Sequence, residues 1–132
     1  MQAQSAHIIE DDVQMVDLLR QCLLRYGFSS FIVSSTYKNA EEQIANKTFD
    51  VVILDIHLQD GNGLQLMELI KKKHPKCKVL VCSGNVSREN VTAALEMGAD
   101  GILAKPFNFK SFETVLKRAD INFGKPKQRP AI

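Results

Sequence analysis

The chain has 132 residues, 45% of them hydrophobic and 24% charged, which fits one globular domain with a proper core and is too short for two of ordinary size. Its net charge of +2 becomes −1 once Lys125, Lys127 and Arg129 near the C-terminus are set aside. That balance lacks the basic stripe that phosphate-backbone binding requires, so it argues against direct nucleic-acid binding. Cys22, Cys77 and Cys82 are odd in number and show no metal-ligand spacing, so they read as small buried hydrophobes in a reducing compartment. No apolar run reaches transmembrane length and no positive region precedes an apolar stretch at the N-terminus; the expectation is a cytoplasmic protein without membrane contact.

In chain order, Ala6 to Ile9 reads as a first strand followed by three acids, Glu10, Asp11 and Asp12. Val16, Leu19, Leu23 and Tyr26 recur at helical spacing, predicting a helix over Val13 to Tyr26 that Gly27 closes. Phe31 to Val33 suits a second strand, and Lys38 to Asn46 a weaker helix. Val51 to Leu54 is apolar without a break, as a central parallel strand covered on both faces would be, and it stops at Asp55 before a glycine-rich loop. Leu66, Leu69 and Ile70 mark a third helix whose end, Lys71 to Lys73, reads as solvated cations favourable to the helix dipole. Val79 to Cys82 forms a fourth strand ending at Ser83-Gly84, and Val91, Ala94 and Leu95 a fourth helix ending at Gly98. Gly101 to Ala104 is a fifth strand ended by Lys105-Pro106, and Phe109 to Ala119 is the clearest amphipathic helix. Residues 1–123 are expected to form the domain, and 124–132 a flexible basic tail or linker stub.

Five strand and helix alternations predict right-handed βαβ units around a parallel sheet, with ligands outside the carboxyl ends of the strands. There the chain places Glu10 and Asp11, Asp55, Ser83 and Lys105. Three carboxylates on one rim repel one another and call for a proton or a cation. A hard divalent ion with oxygen ligands meets that need. Asp12 reads as a helix cap; a frame shifted by one, with Asp11 and Asp12 as the pair, is the alternative to Glu10 and Asp11.

With these residues in place, the chain resembles the receiver domains of two-component response regulators: the acidic pair in IIEDD, the acceptor in VVILDIHLQDGNG, the hydroxyl in VLVCSG and the lysine in GILAKPF. The resemblance implies a flavodoxin-like (βα)5 three-layer sandwich with sheet order 2-1-3-4-5. It implies phosphoryl transfer to Asp55 from a histidine kinase or histidine phosphotransfer protein, making the chain a switch rather than an enzyme. Mg²⁺ (or Mn²⁺) would be held by Glu10, Asp11, Asp55 and the main-chain carbonyl of His57. Ser83 and Lys105 would each gain a charge-assisted bond to the phosphoryl group only after transfer. Lys105-Pro106 would be cis, and the output would leave through the fourth helix, fifth strand and fifth helix.

Some positions depart from the pattern. Gln59 replaces a frequent proline, which predicts a less rigid loop, and Gly84 replaces a frequent alanine. Ile102 stands where an aromatic ring often carries the signal. His57 and Asn85 stand where side chains can overhang the phosphoryl group and tune its hydrolysis; for His57, simple solvent exposure is the alternative. His7 and His74 read as structural or exposed. Two other readings compete: an aspartate-nucleophile metal-dependent phosphatase, which would want a second acid where His57 stands, and a receiver-like interaction module that takes no phosphate.

Overall fold

The computed structural model describes residues 5–122. In chain order the elements are β1 (Ser5–Ile9), α1 (Val13–Tyr26), β2 (Ser30–Ser34), α2 (Tyr37–Asn46), β3 (Val51–Asp55), β4 (His57–Leu58), β5 (Gly61–Asn62), α3 (Leu64–Lys73), β6 (Lys78–Ser83), α4 (Arg88–Glu96), β7 (Gly101–Ala104) and α5 (Phe109–Arg118). The five longer strands form one sheet of order β2-β1-β3-β6-β7, and every pair in it is parallel. Leaving the two-residue strands β4 and β5 uncounted, this is the expected 2-1-3-4-5 order. The tail expected over 124–132 lies outside the described residues.

The unbroken apolar run of β3 follows from its central place. Successive side chains of a strand point to opposite faces, so Val51 and Ile53 enter the core beneath α1 and α5, while Val52 and Leu54 enter the one beneath α2, α3 and α4. Both faces need apolar residues because both are covered. Burying Ile53 or Leu54 fully contributes roughly 1.5–3 kcal/mol each. The firm layer that results is the support on which the rim residues stand.

Local signals set the helix ends. Asp12 caps α1, its carboxylate accepting from the N–H groups of Gln14 at 2.9 Å and Met15 at 3.4 Å. Gly27, at φ +124°, takes the left-handed conformation that closes the same helix. The paired capping box of Asn108 and Ser111 starts α5. Among the described residues no helix is long and apolar enough to cross a membrane.

Two expectations change. The glycine-rich loop is not structureless: β4 and β5 pair antiparallel, His57 with Asn62 and Leu58 with Gly61. The α3 lysines are not all solvated either. Lys71 Nζ donates to Asp100 Oδ2 at 2.9 Å and to the Cys77 carbonyl at 3.3 Å. Asp100 Oδ2 also accepts from Val79 N–H at 2.8 Å, so the pair ties the end of α3 to β6.

Candidate functional site

Parallel strands point their carboxyl ends to one rim, and there β1, β3, β6 and β7 present Glu10, Asp55, Ser83 and Lys105 in turn. The register fixes their heights: Ile9 stands beside Leu54, Asp55 beside Cys82, and Ser83 beside Ala104. A main-chain hydrogen bond from Lys105 N–H to the Ser83 carbonyl, 2.9 Å, holds the last two ends together. Residues far apart in the chain thereby share one small space.

Carboxylate oxygens of Glu10, Asp11 and Asp55 all lie within 4.8 Å of one another. Lys105 Nζ stands among them, 3.0 Å from Glu10 Oε1 and 3.7 Å from Asp55 Oδ2. The other oxygen of Glu10 accepts from Asp12 N–H at 3.2 Å, and Asp55 Oδ1 accepts from His57 N–H at 3.0 Å. Glu10 is thus a member of the carboxylate cluster, while the Asp12 side chain caps α1.

Burial sets the electrostatics. Glu10 is 1% exposed, and the loss of water pushes its carboxyl above the usual range, against the opposing pull of the Lys105 hydrogen bond. Burial alone would lower the Lys105 ammonium, but its hydrogen bond to Glu10 and its attraction to Asp55 outweigh that and raise it. Lys105 therefore stays charged. With the carboxylates ionised, three negative charges face one positive charge, and the remainder matches one hard divalent ion among oxygen donors. The residues fit such an ion.

Asp55 is buried, at 4% exposure; His57 N–H bonds its Oδ1 and Gly63 lies against its main-chain oxygen. A Cβ on Gly63 would stand inside contact distance of that oxygen. Lys105 already makes a charge-assisted bond, to Glu10. Ser83 is engaged as well. Its hydroxyl donates to the Asn85 carbonyl at 3.1 Å and accepts from Asn85 N–H at 3.0 Å.

The flanking positions divide. His57 has an exposed side chain, while its main chain joins the hairpin. The Asn85 side chain turns along its own loop, accepting from Ser87 N–H at 3.3 Å. Gln59 contributes an N–H that a proline would lack, and it donates to Asp11 Oδ2 at 3.2 Å. The Lys105–Pro106 peptide is cis, as expected. His7 and His74 are structural, bonded to Ser34 Oγ and the Ile44 carbonyl respectively, each at 2.8 Å. The cysteines are free and buried, and burial pushes the thiols of Cys77 and Cys82 up to about 12, so they remain protonated packing groups.

Sequence reasoning missed Asp60. It sits at the hairpin tip and accepts from the N–H groups of Tyr37 at 2.7 Å and Lys38 at 3.4 Å. The only signal in the sequence is the run of turn-forming residues in DGNG.

Residues 6–117 match the family model of the response regulator receiver domain. An NtrX-like response regulator of Rickettsia bellii is 33% identical over 114 residues, which cover 85% of this chain and 24% of that protein. The transcriptional regulatory protein ZraR of Escherichia coli O157:H7 is 28% identical over 112 residues, covering 85% of this chain and 25% of ZraR. The chain thus spans about a quarter of the length of these curated relatives. Among solved structures, a CheY-like response regulator receiver domain protein from Methanospirillum hungatei JF-1 superposes with a TM-score of 0.80 at 28% identity, over 90% of this chain and 95% of that one. The chain belongs to the receiver domain family of two-component response regulators.

Proposed function

We propose that this receiver takes a phosphoryl group on Asp55, with Mg²⁺ (or Mn²⁺) held by Glu10, Asp11, Asp55 and the main-chain carbonyl of His57. The observation that carries the reading is the convergence of three carboxylates and one ammonium on a single rim, with Ser83 at the end of the strand next to that of Asp55. The donor is a phosphohistidine on a histidine kinase or histidine phosphotransfer protein. A carboxylate oxygen of Asp55 attacks phosphorus, the bond from phosphorus to the imidazole nitrogen breaks, and its electron pair stays on the ring. When bound, the divalent ion supplies positive charge against the phosphoryl oxygens.

The chain's own residues do the rest. Lys105 already stands beside Asp55 and needs only to share its charge with a phosphoryl oxygen. Ser83 exchanges its bond to the Asn85 carbonyl for one to another phosphoryl oxygen. The two states then differ in real contacts, which a population shift requires. The change leaves through α4, β7 and α5 to an output partner or domain, and hydrolysis of the acyl phosphate resets the switch. Residues 1–123 form the receiver unit in this reading, with 124–132 as tail or linker.

A labelled phosphohistidine donor tests the reading. Label should move to the chain only when a divalent ion is present, and the product should be sensitive to hydroxylamine, as an acyl phosphate is. A label that resists hydroxylamine would place the phosphate elsewhere. Multiple turnover of a small phosphoester would favour a phosphatase instead.

A further inference from the structure

The hairpin after Asp55 is held from two sides. Toward the cluster, His57 N–H in β4 donates to Asp55 Oδ1 at 3.0 Å and Gln59 N–H in the turn to Asp11 Oδ2 at 3.2 Å, so its backbone orients two carboxylates of the cluster. At its tip, the Asp60 carboxylate turns away from the cluster. It accepts from the first two N–H groups of α2, those of Tyr37 at 2.7 Å and Lys38 at 3.4 Å. The third N–H, of Asn39, goes to the helix's own cap, Thr36, at 3.0 Å. A carboxylate at a helix N-terminus is favoured by the helix dipole as well as by the hydrogen bonds.

Packing reinforces the tip. Gly61 lies against the Tyr37 ring so closely that a Cβ there would stand 2.7 Å from ring carbon Cδ2. The hairpin therefore cannot slide toward α2, and Asp60 keeps it from lifting away.

We infer that Asp60 is a positioning residue for the cation site: by anchoring the hairpin tip to α2, it sets the backbone of His57 to Gln59 and through it the orientation of Asp11 and Asp55. The inference rests on the cation site proposed above. Asp60 is not itself a ligand, since its carboxylate is spent on α2. Partners one step removed from a metal commonly change affinity by about 10- to 100-fold when removed, and a tether acting through backbone belongs near the lower end.

The test follows Mg²⁺ titration of the full chain by amide chemical shifts at Asp11, Asp55 and His57, with unfolding in urea measured alongside. Asp60→Ala should weaken Mg²⁺ binding about tenfold. Asp60→Asn keeps one acceptor and should recover part of the loss. Thr36→Ala is the discriminating control: it removes a cap of the same helix, and so lowers stability, without touching the hairpin, and should leave Mg²⁺ affinity unchanged. Wild-type affinity in Asp60→Ala would overturn the inference. So would an equal loss in Thr36→Ala, which would trace the effect to fraying of α2. If the wild-type chain shows no Mg²⁺-dependent shift at Asp11 and Asp55, the cation site itself fails, and the anchor falls with it.

Discussion

Lys105 Nζ lies 3.0 Å from Glu10 Oε1, and the carboxylate it meets is only 1% exposed. Removing the ammonium leaves a buried acid without its partner, and such a loss is costly. The Lys105 side chain is 21% exposed, so water can enter where it stood and soften the penalty. Lys105→Ala is predicted to destabilise the fold by about 1–3 kcal/mol, read from urea unfolding. Glu10→Gln, which removes the charge and keeps the shape, should cost less than Lys105→Ala. The reverse order would show that the pair does not support the fold.

His7 should make stability depend on pH. Burial lowers its pKa from 6.5 to about 4, because the ring is held neutral among apolar groups. Ser34 Oγ donates to Asn39 Oδ1 at 2.7 Å, which leaves its lone pair to accept from His7 Nε2, while His7 Nδ1 has no hydrogen-bond partner among the described residues. A proton on Nδ1 would be buried and unbonded. The unfolded chain takes that proton below pH 6.5 and the folded one does not, so the contribution is fully present above 6.5 and is lost as pH falls toward 4. The loss is at most on the order of 3 kcal/mol. Urea unfolding of wild type against His7→Leu between these pH values should show a steeper decline in the wild type; parallel curves would refute it.

Two glycines should respond oppositely to alanine. Gly63 faces the main-chain oxygen of Asp55, which cannot move aside as a flexible side chain would, whereas a methyl group added to Gly84 would meet nothing within 4 Å. Gly63→Ala is predicted to cost about 2–3 kcal/mol and to shift the Asp55 amide resonance, while Gly84→Ala should stay within about 0.5 kcal/mol of wild type. Similar stability in both variants would mean the close packing over Asp55 is not as described.

A polar route can stand in for the aromatic ring that Ile102 replaces. The Asn85 carbonyl accepts from Ser83 Oγ at 3.1 Å and from Asn90 Nδ2 at 3.0 Å, and Asn90 belongs to α4. Ile102 borders the same small cavity as Ser83, Asn85 and Asn90. The prediction is that beryllofluoride, a phosphoryl mimic, shifts the amides of Asp55 and Lys105 equally in wild type and Asn90→Ala, but shifts Val91 and Ala94 less in the variant. Equal shifts at Val91 and Ala94 would move the route elsewhere.

What the sequence reveals and what it hides divide along a physical line. Asp12 and Gly27 act on their own helix, so α1 was legible to its ends. Glu10, Asp55, Ser83 and Lys105 were legible as a group because parallel strands must end on one rim. Contacts made by side chains across elements were not. The pairing of Lys71 with Asp100, the burial of Asp55 and the reach of Asp60 to α2 all depend on distances that exist only once the layers have packed. The same is true of Lys105, whose place at a strand end follows from the sequence and whose pairing with Glu10 follows only from the packed fold.

Intact mass spectrometry after incubation with a small phosphodonor and Mg²⁺ tests the central claim most directly, comparing wild type with Asp55→Asn. The expected result is one phosphate adduct on the wild-type chain and none on the variant, with the wild-type adduct lost when Mg²⁺ is chelated beforehand. An adduct on both chains, or on neither, would contradict the assignment of Asp55 as the acceptor.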